Sequence, residues 1–206
     1  MVLQNSPLLK AARLFPADVR IKETGIDVAD VLEYLKHDEW ELALLLLEDL
    51  GDAHPQPPEF WSLLTDAARL MWLMSDVAWY QWRHDEAHNG GIRAELCLVL
   101  AESGGRATPI PPSSGILRPM WDIGHLTPAG EPLLSIARLW VEGPDPLEPG
   151  GCSPVRLLPL TFEHWQHLKP GDLITMHEIR PLAGRARVIE IMQPVTAHGQ
   201  LGQQDK

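Results

Sequence analysis

The chain of 206 residues predicts an α+β fold, with an all-helical N-terminal module followed by a small, mostly antiparallel β-barrel-like module. Three observations carry that expectation. From Val28 to Trp82 apolar residues recur at helical spacing. Beyond Leu133 they fall instead in short runs rich in Val, Ile and Leu, separated by Pro and Gly, the punctuation of strands. Between the two lies TPIPPSSG, residues 108 to 115, with three prolines and no periodicity, the composition of an extended connector. The expected division is therefore an acidic helical module over 1–105, a Pro-rich connector over 106–115, a β-barrel-like module over 116–196 and a flexible tail over 197–206.

Taken in order, Leu8, Leu9, Ala12, Leu14 and Phe15 suit a short apolar helix that Pro16 limits. Asp27 is placed to cap a helix running to His37, whose Val28, Val31, Leu32 and Leu35 share a face. Asp38, with Glu41 three residues on, reads as the cap of the next helix. Leu42, Leu45, Leu46 and Leu50 would form its buried stripe, and Gly51 would stop it. Pro58 suits the first turn of a long third helix from Glu59 to His88. Asn89-Gly90-Gly91 ends that helix, and the apolar run from Ile92 to Ala101 fits either a helix or a strand.

The strand candidates of the second module are Trp121 to Ile123, the run through Ile136, Leu139 and Val141, Val155 to Leu160, Asp172 to Ile179 and Arg185 to Met192. So many short runs read as a closed or nearly closed barrel, since an isolated hairpin is marginal in water. Phe162, Trp165 and Leu168 place a helical turn before Lys169-Pro170-Gly171-Asp172, a turn in which Pro170 sets φ and Gly171 takes a left-handed position. Ala183-Gly184 reads as a further turn. The series Pro170-Gly171-Asp172, a strand, Ile179-Arg180-Pro181, then Gly184-Arg185 and Val188 to Ile191 resembles the end of a β-barrel domain of elongation factor Tu. The resemblance covers about a quarter of the chain and implies a barrel scaffold only. No GxxxxGK[ST] loop is present, so no GTPase chemistry comes with it.

The formal net charge is −11, and it is uneven. Residues 1–88 hold sixteen Asp or Glu against seven Lys or Arg, while residues 89–206 hold twelve against ten. A field of that sign disfavours nucleic acid and anionic membranes as partners. It favours a basic protein, or simply solubility. No stretch reaches eighteen consecutive apolar residues, and no secretory leader is evident. Cys97 and Cys152 belong to no CxxC pair, so they are read as unbridged, Cys97 in a core and Cys152 as a possible exposed thiol. The compartment expected from this is the cytoplasm.

His84 and His88 stand at i and i+4, as metal ligands on a helix do, but Asp85 occupies the position of the HExxH glutamate and no third ligand is indicated. The expectation is no metal and no cofactor, with two imidazoles favourable at a helix C-terminus. His164, His167, His177 and Glu178 could converge at a barrel edge. Arg180, Arg185 and Arg187 form a local cationic cluster, and Arg185 and Arg187 would share a strand face as candidates for anion binding. Five of the eight tryptophans fall in the helical module. Tryptophan is enriched at the energetic centres of interfaces, so Trp61, Trp72, Trp79 and Trp82 are candidate contact residues, with Glu33, Asp49 and Glu59 as a charged rim. The functional expectation is a non-catalytic protein-binding or inhibitor-like (immunity-like) protein acting through this acidic, Trp-rich surface, or a homodimer formed through it. The alternative is a metal-dependent or acid–base enzyme with a His-containing site between the modules.

Overall fold

A computed structural model describes residues 6–16, 18–178 and 182–195. It is an α+β protein in which helices precede a closed six-stranded antiparallel barrel. Two compact units divide between His88 and Asn89, with Val195 joining the first.

In the helical unit, α1 (Pro7–Ala12) and α2 (Val28–Lys36) form where expected. Asp27 caps α2 by accepting from Ala29 N (2.9 Å) and Asp30 N (3.2 Å), and Asp30 Oδ2 accepts from Asp27 N in return. The end of α2 differs from expectation. Asp38 does not cap the next helix: it lies at φ 60°, immediately past the end of α2. Glu39 N donates to Tyr34 O (3.0 Å) and Asp38 N to Leu35 O (3.4 Å), a Schellman closure, in which one left-handed residue lets two late carbonyls find donors. Helix α3 (Trp40–Ala53) consequently starts without a side-chain cap. Its buried residues are Ala43, Leu44, Leu47 and Leu50, whereas Leu42 and Leu45 are exposed. The four-leucine run fits two registers of helical spacing, and packing selects the other one. Gly51 does not stop α3 but lies inside it, where a Cβ would come within 2.6 Å of Phe60 Cε1.

The long third helix is two helices, α4 (Pro58–Leu70) and α5 (Met74–Asn89). Phe15, Phe60 and Trp61 pack edge to face in the core, with centroids 5.3 and 5.0 Å apart, and Leu8, Val31, Leu44 and Leu64 surround them.

The second unit begins earlier than 116. Ile92, Ala94, Leu96 and Leu98 are buried while Arg93, Glu95 and Cys97 alternate outward, and Gly91–Leu98 is β1 of the barrel. It is followed by β2 (Met120–Leu126), β3 (Pro132–Val141), β4 (Cys152–Pro159), β5 (Leu173–His177) and β6 (Leu182–Met192). The order around the barrel is β1-β4-β3-β2-β5-β6, closed by β6 on β1. The Pro-rich run is not a connector between units. Ile110 and Leu147 exchange both backbone hydrogen bonds (2.9 Å each), and the Ile110 side chain joins the barrel core. Proline removes donors only at its own positions, so Ile110 remains free to pair.

The expected turn at Pro170-Gly171 is present. Asp172 N donates to Lys169 O (3.0 Å), Lys169 N donates to Asp172 Oδ2 (2.8 Å), and Gly171 has φ 96°. Ala183 and Gly184 do not form a turn but lie within β6. A Cβ on Gly184 would meet Leu96 Cδ1 at 2.9 Å and Cys97 O at 3.0 Å, so the glycine there serves the close approach of β1. The expected helical turn is a 3-10 turn over Phe162–Trp165, and Trp165 packs edge to face on Trp121 inside the core. The tail expected over 197–206, and Arg180, lie outside the described residues.

The two cysteines are not unbridged. Cys97 and Cys152 are directly opposed on β1 and β4 and joined by a disulfide. Fifty-five positions separate them in sequence, and the ladder removes that distance.

Candidate functional site: an apolar knuckle between two helices

Helix α4 ends at Leu70 by a second Schellman closure. Leu73 N donates to Ala68 O (3.0 Å) and Trp72 N to Arg69 O (3.2 Å). That geometry demands a left-handed residue at position 72, and Trp72 adopts it with φ 61°. Glycine is the residue this position favours, because a Cβ crowds the following carbonyl in the left-handed region. A bulky aromatic there is a conformational outlier. The indole gains nothing from burial in return, since 84% of Trp72 is exposed. Leu70 and Met74, on either side, are 58% and 62% exposed. Leu70, Trp72 and Met74 therefore form an apolar knuckle held out into solvent. Asp66 and Arg69 pair across the last turn of α4 (3.3 Å), and Asp76 lies in the first turn of α5.

The other candidate tryptophans have a different role. Trp61 and Trp82 are buried and present no surface for a partner. Trp79 is half-buried and its Nε1 donates to Glu48 Oε1 (2.7 Å). The second Glu48 oxygen accepts from Tyr80 OH (2.7 Å). Burial pushes the Glu48 carboxyl above its ordinary range, and these two donors offset the push only in part. Burial, then the nearby Glu48 charge, also drives the Tyr80 hydroxyl far above its usual range. The buried Arg83 guanidinium sits 4.1 Å over the Trp61 ring, pairs with Asp52, and lies 3.0 Å from Glu86. A cation over an indole face is attracted by the ring quadrupole. This network braces α3 against α5. The sequence marked its tryptophans but could not show that three of the four were turned inward.

Among the proposed rim residues, Asp49 and Glu59 are exposed. Glu33 is exposed but already engaged, by His37 at 2.9 Å and Lys36 at 3.4 Å, and its carboxyl is lowered, first by His37 and then by Lys36. The rings of His84 and His88 stack with centroids 6.2 Å apart, and His84 lies 3.4 Å from Asp85. No group of three metal-capable side chains occurs among the described residues. His164 and His167 do come together, but with His125 rather than His177. The His125 ring lies 4.5 Å from His167 and 6.3 Å from His164. His167 places Nδ1 3.0 Å from His164 O and Nε2 2.8 Å from Ile123 O, so both nitrogens are engaged with the backbone. His177 and Glu178 instead line a shallow cavity of about 280 Å³ with Arg106, Arg118 and Met120, in which Arg106 pairs with Glu178. Arg185 and Arg187 are exposed and share the outer face of β6, and Arg187 also donates to Gly171 O (3.3 Å).

The signal for the knuckle lay in five consecutive residues, Leu70-Met71-Trp72-Leu73-Met74. An uninterrupted apolar run inside an amphipathic pattern cannot have all its members inward. Without Gly or Pro to mark it, the helix break was invisible. No helix is long and apolar enough to cross a membrane among the described residues. No protein-family model matches this chain, and no curated protein is significantly similar to it.

Proposed function

We propose that this is a non-catalytic binding protein whose contact residue is Trp72, presented by the α4–α5 knuckle to a basic protein partner with an apolar cleft. One observation carries the reading: a tryptophan occupies a backbone position that favours glycine, and its side chain contributes almost nothing to the fold. Strained conformations persist where the surrounding structure over-determines them, and they cluster at functional positions. An exposed indole flanked by Leu70 and Met74 suits the buried centre of an interface. The charge of residues 1–88, sixteen acidic against seven basic side chains, supplies the sign of the partner and would raise the association rate. The Cys97–Cys152 bond weighs against the expected cytoplasmic location, since a reducing compartment would act upon it.

The test places a photo-crosslinking residue at position 72 in the native cell, identifies the adduct, and measures affinity with purified full-length protein. Trp72→Ala should weaken binding about 30-fold, the loss of a central aromatic contact, and association should slow as salt rises. An adduct formed only with a second copy of this chain would replace the proposal with a homodimer. Unchanged affinity in Trp72→Ala would end it.

A further inference from the structure

We propose that Cys97–Cys152 is a thiol–disulfide exchange site, at which a small thiol attacks the Cys152 sulfur and Cys97 leaves as a thiolate beside Arg185. The proposal rests on where the ladder puts the two sulfurs. Cys97 lies on the outward face of β1, between the buried Leu96 and Leu98. Cys152 is exposed at the very start of β4. The pairing of β4 with β3 runs only from Val155 to Pro159, so no β3 residue stands beside Cys152. Its sulfur is therefore open to attack from the side away from β1, whereas Cys97 is enclosed by strands on both sides.

Those neighbours decide which sulfur is the better leaving group. Register places Arg185 of β6 directly opposite Cys97, and Cys97 directly opposite Cys152. Directly opposed residues share a face, with Cβ atoms about 5 Å apart. The next row along that face carries Glu95 opposite Arg187, one charge of each sign. Among the described residues the Arg185 side chain makes no ion pair or hydrogen bond, so its charge is available to a thiolate at Cys97. A nearby guanidinium favours the thiolate form, and a more stable thiolate leaves faster.

The exchange balances as two thiol steps. The attacking thiolate bonds to Cys152 Sγ, the Cys97–Cys152 bond breaks, and its electron pair departs on Cys97 Sγ. A second thiol then attacks the mixed disulfide and releases Cys152. Two electrons and two protons pass from two small thiols, which leave as their own disulfide. Neither step requires the barrel to open. The contacts that join β1 to β4, Leu98 N donating to Gly151 O (2.9 Å) and the register from Ile92 to Cys97, are made by the backbone and do not pass through the sulfurs. The ladder also keeps the two sulfurs opposed, so the bond recloses by an intramolecular reaction.

The experiment uses the oxidised full chain with reduced glutathione, quenched with acid at intervals, followed by intact-mass measurement and peptide mapping. The expected intermediate carries glutathione on Cys152 and a free thiol on Cys97, with an excess of at least about tenfold over the reverse adduct. Far-UV circular dichroism at 25 °C should be unchanged after full reduction, and oxidised glutathione should restore the bond. Arg185→Gln should slow opening about threefold, and Arg185→Lys should recover most of it, as expected for a single nearby charge at the surface. An adduct chiefly on Cys97, or a barrel spectrum lost on opening, would overturn the proposal. So would equal rates in the Arg185→Gln and unsubstituted proteins.

Discussion

Replacing Trp72 by glycine and, separately, by alanine isolates the backbone at the knuckle. Both variants delete the indole, so whatever its remaining contacts contribute is lost equally. Their difference reports the conformation of residue 72 alone. On an ordinary helical position glycine is less stable than alanine by about 1 kcal/mol. At φ 61° the sign reverses, because alanine pays the left-handed crowding of its Cβ, about 1–2 kcal/mol, while glycine does not. Glycine's greater freedom in the unfolded chain returns about 0.5–1 kcal/mol of that. Trp72→Gly should therefore be more stable than Trp72→Ala by about 1 kcal/mol. Urea denaturation followed by circular dichroism would show it as a higher midpoint at equal slope. An alanine variant as stable as glycine, or more so, would mean that residue 72 is not left-handed and that α4 and α5 are continuous.

Other outcomes follow from the same geometry. The Cys97–Cys152 bond closes a loop of 55 residues, so Cys97→Ser with Cys152→Ser should lower stability by about 4 kcal/mol in the chain-entropy account, read by denaturant titration against the oxidised protein. That loss acts mainly on the unfolded chain, so the opened barrel is expected to keep its native contacts. Gly51→Ala, normally a gain in a helix, should cost about 1–3 kcal/mol through overpacking, since its Cβ would press on Phe60 and Trp61. Burial raises the folded-state pKa of Glu48 above 4.5, so its contribution to stability is fully present below the unfolded value and is lost as pH rises through the folded one. The melting temperature of the unsubstituted protein minus that of Glu48→Gln should accordingly be largest near pH 4 and shrink towards neutrality. A difference that grows with pH would contradict the sign.

The α+β division and most of the strands were legible because period-two and period-3.6 patterns differ and Pro and Gly punctuate them. Asp27 announced its helix for the same local reason. Where the sequence misled, two local readings competed and a distant contact decided. Ile92 to Leu98 alternates strictly, yet its outward Cys97 read as one more apolar residue, which hid the strand and its disulfide together. Asp38 has the chemistry of an N-cap and the conformational tolerance of a left-handed closure, and the closure prevails because Tyr34 and Leu35 need donors. The proline run implied a linker, but Ile110 alone was enough to tie it to the barrel core. Of the candidate site, the residue type was visible and the orientation was not. Trp61 and Trp72 share one apolar pattern in the sequence, but Trp61 falls on the buried face of α4 and Trp72 in the break after Leu70, which holds it outward.

The most direct measurement compares the affinities of the unsubstituted protein, Trp72→Gly and Trp72→Ala for the partner crosslinked at position 72, at fixed salt. Binding through the indole predicts that both variants lose about 30-fold in Kd, although the glycine variant is the more stable fold of the two. Retained affinity in Trp72→Gly would contradict it, since a backbone that keeps its shape without the tryptophan would then be sufficient for binding.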